Sequence, residues 1–160
     1  MNDELMSGNA FIQIPEEQLS KEESLLLARA REAARSAYAP YSQFSVGAAV
    51  QLENGEIITA SNQENAAFPS GLCAERVALF YAGSRFPGVA VQRLVIAVIS
   101  DKKESDRVYA PCGACRQVMA ETENRQNKSF KIMFEGPGKH LTSCNGIEPL
   151  LPFTFRLSTG

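Results

Sequence analysis

Cys112 and Cys115 stand three residues apart in Pro111-Cys112-Gly113-Ala114-Cys115, at the start of a stretch whose residue pattern predicts a helix. Side chains three apart on a first turn lie on one side of the helix, so both sulfurs can reach one ion. A helix start also favours thiolate over thiol, because free N–H groups and the helix dipole stabilise negative charge there. Cys73 opens a second predicted helix 39 residues upstream, and Glu75 follows it two positions later. Three thiolates brought together would form a zinc site with one open coordination position, the mark of a catalytic rather than a structural metal. A carboxylate beside that position, not itself a ligand, is placed to move protons. Spacing alone does not carry Cys73 to the other two cysteines. Taken by itself, the Cys112/Cys115 pair also fits a redox couple or half of a structural zinc knuckle. Cys144 could close the shell as a fourth ligand, although its place in a glycine-bearing tail favours a partly buried free thiol.

The elements that must position these residues follow from periodicity and punctuation. Ser20 followed by Glu23 is a capping-box pattern, and Leu26, Ala30, Ala33 and Ala37 then recur on one helical face, with Pro40 beyond as a stop. Phe44, Val46, Ala48, Val50 and Leu52 alternate as a strand, Asn54-Gly55 suits a tight hairpin, and Glu56 to Ala60 returns. A helix is expected from about Leu72 to Gly83, and a strand buried on both faces from Arg93 to Ile99. A charged loop spans Asp101 to Arg107, and a helix runs from Cys112 to about Asn124. The strand Ser129 to Phe134 follows, then an irregular tail with at most a short helix at Leu150-Leu151-Pro152. The order αββαβαβ gives an α/β fold, with an antiparallel hairpin and parallel pairing through the later crossovers. The two cysteine-bearing helices flank one strand, so their N-termini can lie side by side at one end of the sheet. Residues 1–19 carry no sustained period and are expected as a flexible extension, with residues 20–160 as a single domain.

Composition narrows the function classes. The 160 residues include 16 Lys+Arg and 18 Asp+Glu, a net charge of -2, which lacks the basic field that polyanions require. The longest purely apolar run is the six residues Leu94 to Ile99, far short of a membrane span. One histidine, His140, rules out HExxH and three-histidine metal sites. The acidic start shows no export signal, so the expected setting is a reducing cytoplasm with the cysteines unpaired.

Cys73-Ala74-Glu75 followed by Pro111-Cys112-Gly113-Ala114-Cys115 is the three-cysteine version of the zinc deaminase signature, which usually has histidine at the first place. Around it lie Ala39-Pro40-Tyr41-Ser42-Gln43-Phe44-Ser45-Val46-Gly47-Ala48-Ala49, Asn62-Gln63-Glu64-Asn65-Ala66-Ala67, Cys73-Ala74-Glu75-Arg76, Arg116-Gln117 after the second cysteine pair, and Leu150-Leu151-Pro152. These blocks, in this order over residues 20 to 155, closely resemble the small, homotetrameric cytidine deaminases.

The resemblance implies a three-layer α/β/α fold with a mixed five-stranded sheet, and one Zn²⁺ per subunit on Cys73, Cys112 and Cys115. It implies hydrolytic deamination of cytidine and deoxycytidine to uridine and deoxyuridine, with ammonia released, in pyrimidine salvage. Zinc-activated hydroxide would attack C4, and Glu75 would shuttle protons to N3 and to the departing amine. Arg76 is implied to hydrogen-bond the ligand sulfurs and to offset the charge of three thiolates. Asn62 and Glu64 alternate along an extended segment, so both can face one side; the resemblance gives them the ribose 3′-hydroxyl. Phe44 matches an aromatic that packs on the base, although its period also fits a core strand residue. Ala74 would offer its backbone N–H to the pyrimidine carbonyl. Phe155 looks like the aromatic that reaches a neighbouring subunit's site, so each site would be completed across the tetramer. Phe68 departs from the usual tyrosine and removes a hydroxyl at the site edge, and His140 matches no family role. The competing readings are a deaminase of a cytosine nucleoside antibiotic such as blasticidin S, and a non-enzymatic zinc-stapled binding domain needing Cys144 or His140 as fourth ligand. Neither nucleic acid nor membrane is an expected partner.

Overall fold

Six strands form a single mixed sheet in the computed structural model, which describes residues 10–101 and 106–157. In chain order the elements are β1 (Ile12–Pro15), α1 (Lys21–Ala34), β2 (Ser45–Leu52), β3 (Ile57–Ser61), α2 (Ala74–Arg85), β4 (Val91–Ile99), α3 (Gly113–Gln126), β5 (Lys131–Glu135) and β6 (His140–Asn145). Across the sheet they run β1-β6-β5-β4-β2-β3. The expected α/β class holds, but the five-stranded count does not. The tail read as irregular contains β6, antiparallel to β5, and Ile12–Pro15 of the expected extension adds β1 antiparallel to β6. No helix forms at Leu150–Pro152. Residues 1–9 of that extension and 102–105 of the charged loop lie outside the described residues.

The capping box starts α1 as the sequence anticipates: Glu23 N donates to Ser20 Oγ at 3.2 Å, and Ser20 N to the Glu23 carboxylate at 3.0 Å. The helix ends at Ala34, short of Ala37, because Arg35, Ser36 and Ala37 each donate to the carbonyl three residues back, tightening the last turn. The hairpin turn has Gly55 at φ +87, with Leu52 and Glu56 joined across it.

Two cores flank the sheet. Alternate residues of β2 divide between them: Ala49 packs with Leu26, Ala30, Val95 and Met133 under α1, whereas Val50 packs with Ile96, Met119 and Phe134 under α2 and α3. Three layers result, as expected, and β4 is buried on both faces by its unbroken apolar run. At Gly47 α1 packs close on β2, since a Cβ there would sit 1.9 Å from the Ala30 carbonyl oxygen.

Strand direction decides where the chemistry gathers. β4 and β5 are the adjacent parallel pair, and β3 and β4 run the same way on either side of β2. The helices that follow β3 and β4 therefore both begin at the same end of the sheet. There they bring Cys73 and Cys112 together across the intervening strand.

Candidate metal centre and active site

Cys73 is the extended residue before α2, and Cys112 holds the same place before α3. Their sulfurs lie 3.8 Å apart, and Cys112 Sγ is 3.3 Å from Cys115 Sγ one turn into α3. All three sulfurs fall within 4.8 Å of one another. Sulfurs at ~2.3 Å from a tetrahedral zinc stand ~3.8 Å apart, and soft thiolates suit that ion, so this donor set fits it. Cys73 is half-buried, Cys112 exposed and Cys115 buried, which gives the cluster one open side.

Charge in the cluster is unequal. The Cys73 thiol is lowered to about 5, first by the hydrogen bond from Cys115 and further by the Arg76 guanidinium. Cys115 is pushed strongly upward by that same bond and by burial. Arg76 Nη2 donates to Cys73 Sγ at 3.7 Å, while its buried Nε has no hydrogen-bond partner among the described residues. Glu75, on the first turn of α2, is only 4% exposed. Burial pushes its carboxyl up to about 7, with the Cys73 charge adding to the rise, against hydrogen bonds from its own backbone N–H and from Cys115. A carboxyl poised there can both take and give a proton near neutral pH.

Cys144 and His140 do not join this cluster. Both lie on β6, where the buried Cys144 thiol contacts the Gly146 carbonyl at 3.5 Å and exposed His140 meets the Pro137 carbonyl at 3.2 Å. A closed four-ligand shell therefore finds no fourth donor among the described residues.

A cavity of about 510 Å³ meets the cluster at Cys73 and is lined by Asn62, Glu64, Phe68, Cys73 and Arg76 among others, whereas Phe44, Glu75, Cys112 and Cys115 are not part of its lining. Asn62 and Glu64, which follow β3, both line this cavity, as does Gln63 between them. Phe68 lies at its rim, edge-on to Tyr41 with ring centroids 5.8 Å apart. Ala74 is fully buried at the start of α2, where first-turn N–H groups have no partner within the helix. Phe44 is half-buried beside Tyr109, with centroids 5.5 Å apart, and its carbonyl accepts from Asn62 Nδ2 at 2.9 Å. Phe155 is not brought to its own chain's cavity. It is 69% exposed and lies in a separate groove with Leu79, Phe80 and Val118 between α2 and α3.

Sequence reasoning passed over two tethers. Arg116 donates to the Pro111 carbonyl at 2.8 Å and to the Leu150 carbonyl at 2.9 Å, locking the loop before Cys112 to the tail. Gln117 Nε2 donates to the Phe155 carbonyl at 2.9 Å. Both residues were in the matched block, but nothing in their spacing signals a long-range carbonyl partner.

A family model described as the cytidine and deoxycytidylate deaminase zinc-binding region matches residues 20–129. The chain belongs to this family. It is 41% identical over 133 residues to the cytidine deaminase of Halalkalibacterium halodurans, covering 82% of this chain and 92% of that one. The cytidine deaminase of Sporosarcina psychrophila is 38% identical over 130 residues, covering 81% and 88%. Among solved structures, cytidine deaminase from Burkholderia pseudomallei superposes with a TM-score of 0.68 at 30% identity, over 86% of this chain and all of that one. The family places a zinc-binding region over the segment that holds the three-cysteine cluster, which agrees with the donor set. No helix among the described residues is long and apolar enough to cross a membrane.

Proposed function

We propose that this member of the cytidine and deoxycytidylate deaminase family hydrolyses the exocyclic amine of cytidine and deoxycytidine, releasing ammonia and leaving uridine and deoxyuridine, in pyrimidine salvage. The observation that carries the reading is the convergence of three sulfurs beside a buried carboxyl, with Cys73 and Arg76 lining a cavity sized for a nucleoside. Cys73, Cys112 and Cys115 would hold one Zn²⁺ per subunit. When bound, that ion supplies the Lewis acidity that makes water a nucleophile near neutral pH.

The chain's own residues supply the rest. Glu75 takes one proton from the attacking water and delivers it to ring N3, then takes the remaining proton from the new C4 hydroxyl and passes it to the exocyclic nitrogen, which leaves as ammonia as the C4 carbonyl forms. Its burial supports this role, because a solvated carboxylate would be too weak a base. Arg76 places a fixed cation against Cys73. Asn62 and Glu64 bind the ribose 3′-hydroxyl as amide and carboxylate. Asn62 already uses one N–H on Phe44 and one oxygen lone pair on Val46, and keeps one of each for the sugar. Phe44 packs against the base, and the Ala74 N–H faces the pyrimidine carbonyl. Phe155, remote from its own cavity, completes the site of a neighbouring subunit in a homotetramer. The deaminase domain is residues 20–160, with β1 added at the sheet edge. Four free thiols support a reducing, cytoplasmic setting.

The test is ultraviolet monitoring of cytidine with the zinc-loaded protein beside a Glu75→Gln variant. Wild type converts cytidine, and the variant loses at least ~10²-fold in kcat with its zinc retained. Conversion of blasticidin S but not cytidine would transfer the activity to the antibiotic, and equal rates for both proteins would remove Glu75 from the chemistry.

A further inference from the structure

Glu64 does not meet the cavity as a loose carboxylate. Its Oε2 accepts from Tyr41 N at 2.9 Å and from Ser42 N at 3.3 Å, and its Oε1 accepts from the Ser42 hydroxyl. The same hydroxyl oxygen accepts from Phe44 N at 3.1 Å. An ionised carboxylate has no proton to give, so the single Ser42 proton must point at Glu64 and leave a lone pair for Phe44. A directional chain therefore runs from the Phe44 N–H through the Ser42 hydroxyl to the Glu64 carboxylate. The loop that closes it contains Gln43 at φ +56, a left-handed conformation that a side-chain-bearing residue adopts at a cost. Ser100 Oγ donates to the Gln43 carbonyl at 3.1 Å and holds that conformation from the end of β4.

On the far side of Phe44, Asn62 completes the arrangement. Its Nδ2 donates to the Phe44 carbonyl at 2.9 Å, and its Oδ1 accepts from Val46 N at 2.8 Å. The N–H and the carbonyl of Phe44 are thus both fixed by side chains, one of them Asn62 itself and the other bonded to Glu64. The Phe44 backbone and the side chains of Ser42, Glu64 and Asn62 form one hydrogen-bonded unit.

We infer that Ser42 is a positioning residue for nucleoside binding, its hydroxyl coupling the sugar-facing carboxylate of Glu64 to the backbone that carries Phe44. The inference rests on the nucleoside reading above. Ser42 touches neither the sulfurs nor Glu75, so its removal acts on binding geometry rather than on the proton transfers. In the zinc-loaded enzyme, Ser42→Ala raises KM for cytidine about tenfold, as expected for losing a hydrogen bond to a charged group, and changes kcat by less than about threefold. Uridine binding, followed by calorimetry, weakens by a similar factor. Ser42→Thr keeps the hydroxyl and brings KM back to within about threefold of wild type. In a double-mutant cycle with Glu64→Gln, the two losses combine to less than their product, because the residues act as one unit. A global structural role would instead lower the melting temperature and multiply with Glu64→Gln. An unchanged KM for Ser42→Ala, or losses that multiply, overturns the inference while leaving the nucleoside reading intact. A wild-type protein that neither converts cytidine nor binds uridine overturns both.

Discussion

Three thiolates around a divalent zinc leave one negative charge in excess, which weakens the ion's pull on any further ligand. Arg76 is placed to offset that excess, through its 3.7 Å contact to Cys73 and its buried Nε. The two helix starts add partial positive charge but cannot replace a full cation. Arg76→Ala is therefore expected to keep part of its zinc by metal analysis and to lose about 10–100-fold in kcat/KM at neutral pH, the range found for partners that tune a metal's ligands. Unchanged turnover would remove Arg76 from the account. Cys144 provides the internal control. It is buried like Cys115, yet it lies on β6 with its thiol raised to about 11, chiefly by desolvation. Cys144→Ala should leave zinc stoichiometry at the wild-type value and cost only packing stability. Loss of zinc in that variant would mean that the shell is closed by a fourth sulfur, and the hydrolytic reading would fail with it.

Elements were legible where local pattern and tertiary role agree. The alternation of β2, the unbroken apolar run of β4 and the capping box of α1 each state a local preference that the three-layer packing also satisfies. β6 was not legible, because His140-Leu141-Thr142-Ser143-Cys144-Asn145 buries Thr142 and Ser143 at 2% exposure each, and such polar residues look like loop until a neighbouring strand satisfies them. β1 is four residues ending in proline, tolerable only at a sheet edge, and edges are set by topology rather than by local sequence. The site divides in the same way. The meeting of the three sulfurs is anticipated by the resemblance and not by spacing, whereas the hydrogen bonds of Ser42 depend on a loop conformation that spacing does not encode. Gly47 tests the packing link directly. An alanine Cβ there would lie 1.9 Å from Ala30 O and 2.6 Å from Ala34 N, both backbone atoms that cannot swing aside. α1 must then lift from β2, at a cost of about 1–3 kcal/mol or more. Gly47→Ala is expected to lower the melting temperature by roughly 5 °C or more. An unchanged melting temperature would show that the helix–sheet distance is softer than this contact implies.

At the scale of the whole molecule, the exposed aromatics bear on the proposed tetramer. Phe155 is 69% exposed, Leu157 74% and Phe80 52%, and these three line one groove, an apolar concentration of the kind that marks interaction sites. Gln117 holds the Phe155 backbone against α3, yet the ring stays outside the cavity of its own chain. If a neighbour's Phe155 completes each site, catalytic and aromatic defects on different subunits must repair one another. Phe155→Ala should lower kcat/KM about tenfold or more, the scale of one lost base–aromatic contact. Glu75→Gln is nearly inactive through its missing proton carrier. Co-refolding the two variants in equal amounts produces mixed assemblies in which an intact Glu75 can receive Phe155 from a Glu75→Gln neighbour. The mixture should then exceed the average of its parents several-fold, and sedimentation should find four subunits in both parents and mixture. Activity equal to that average would place the ring's role within its own chain. A monomer in sedimentation would leave Phe155 as a surface residue and require the cavity to work with the lining that one chain provides.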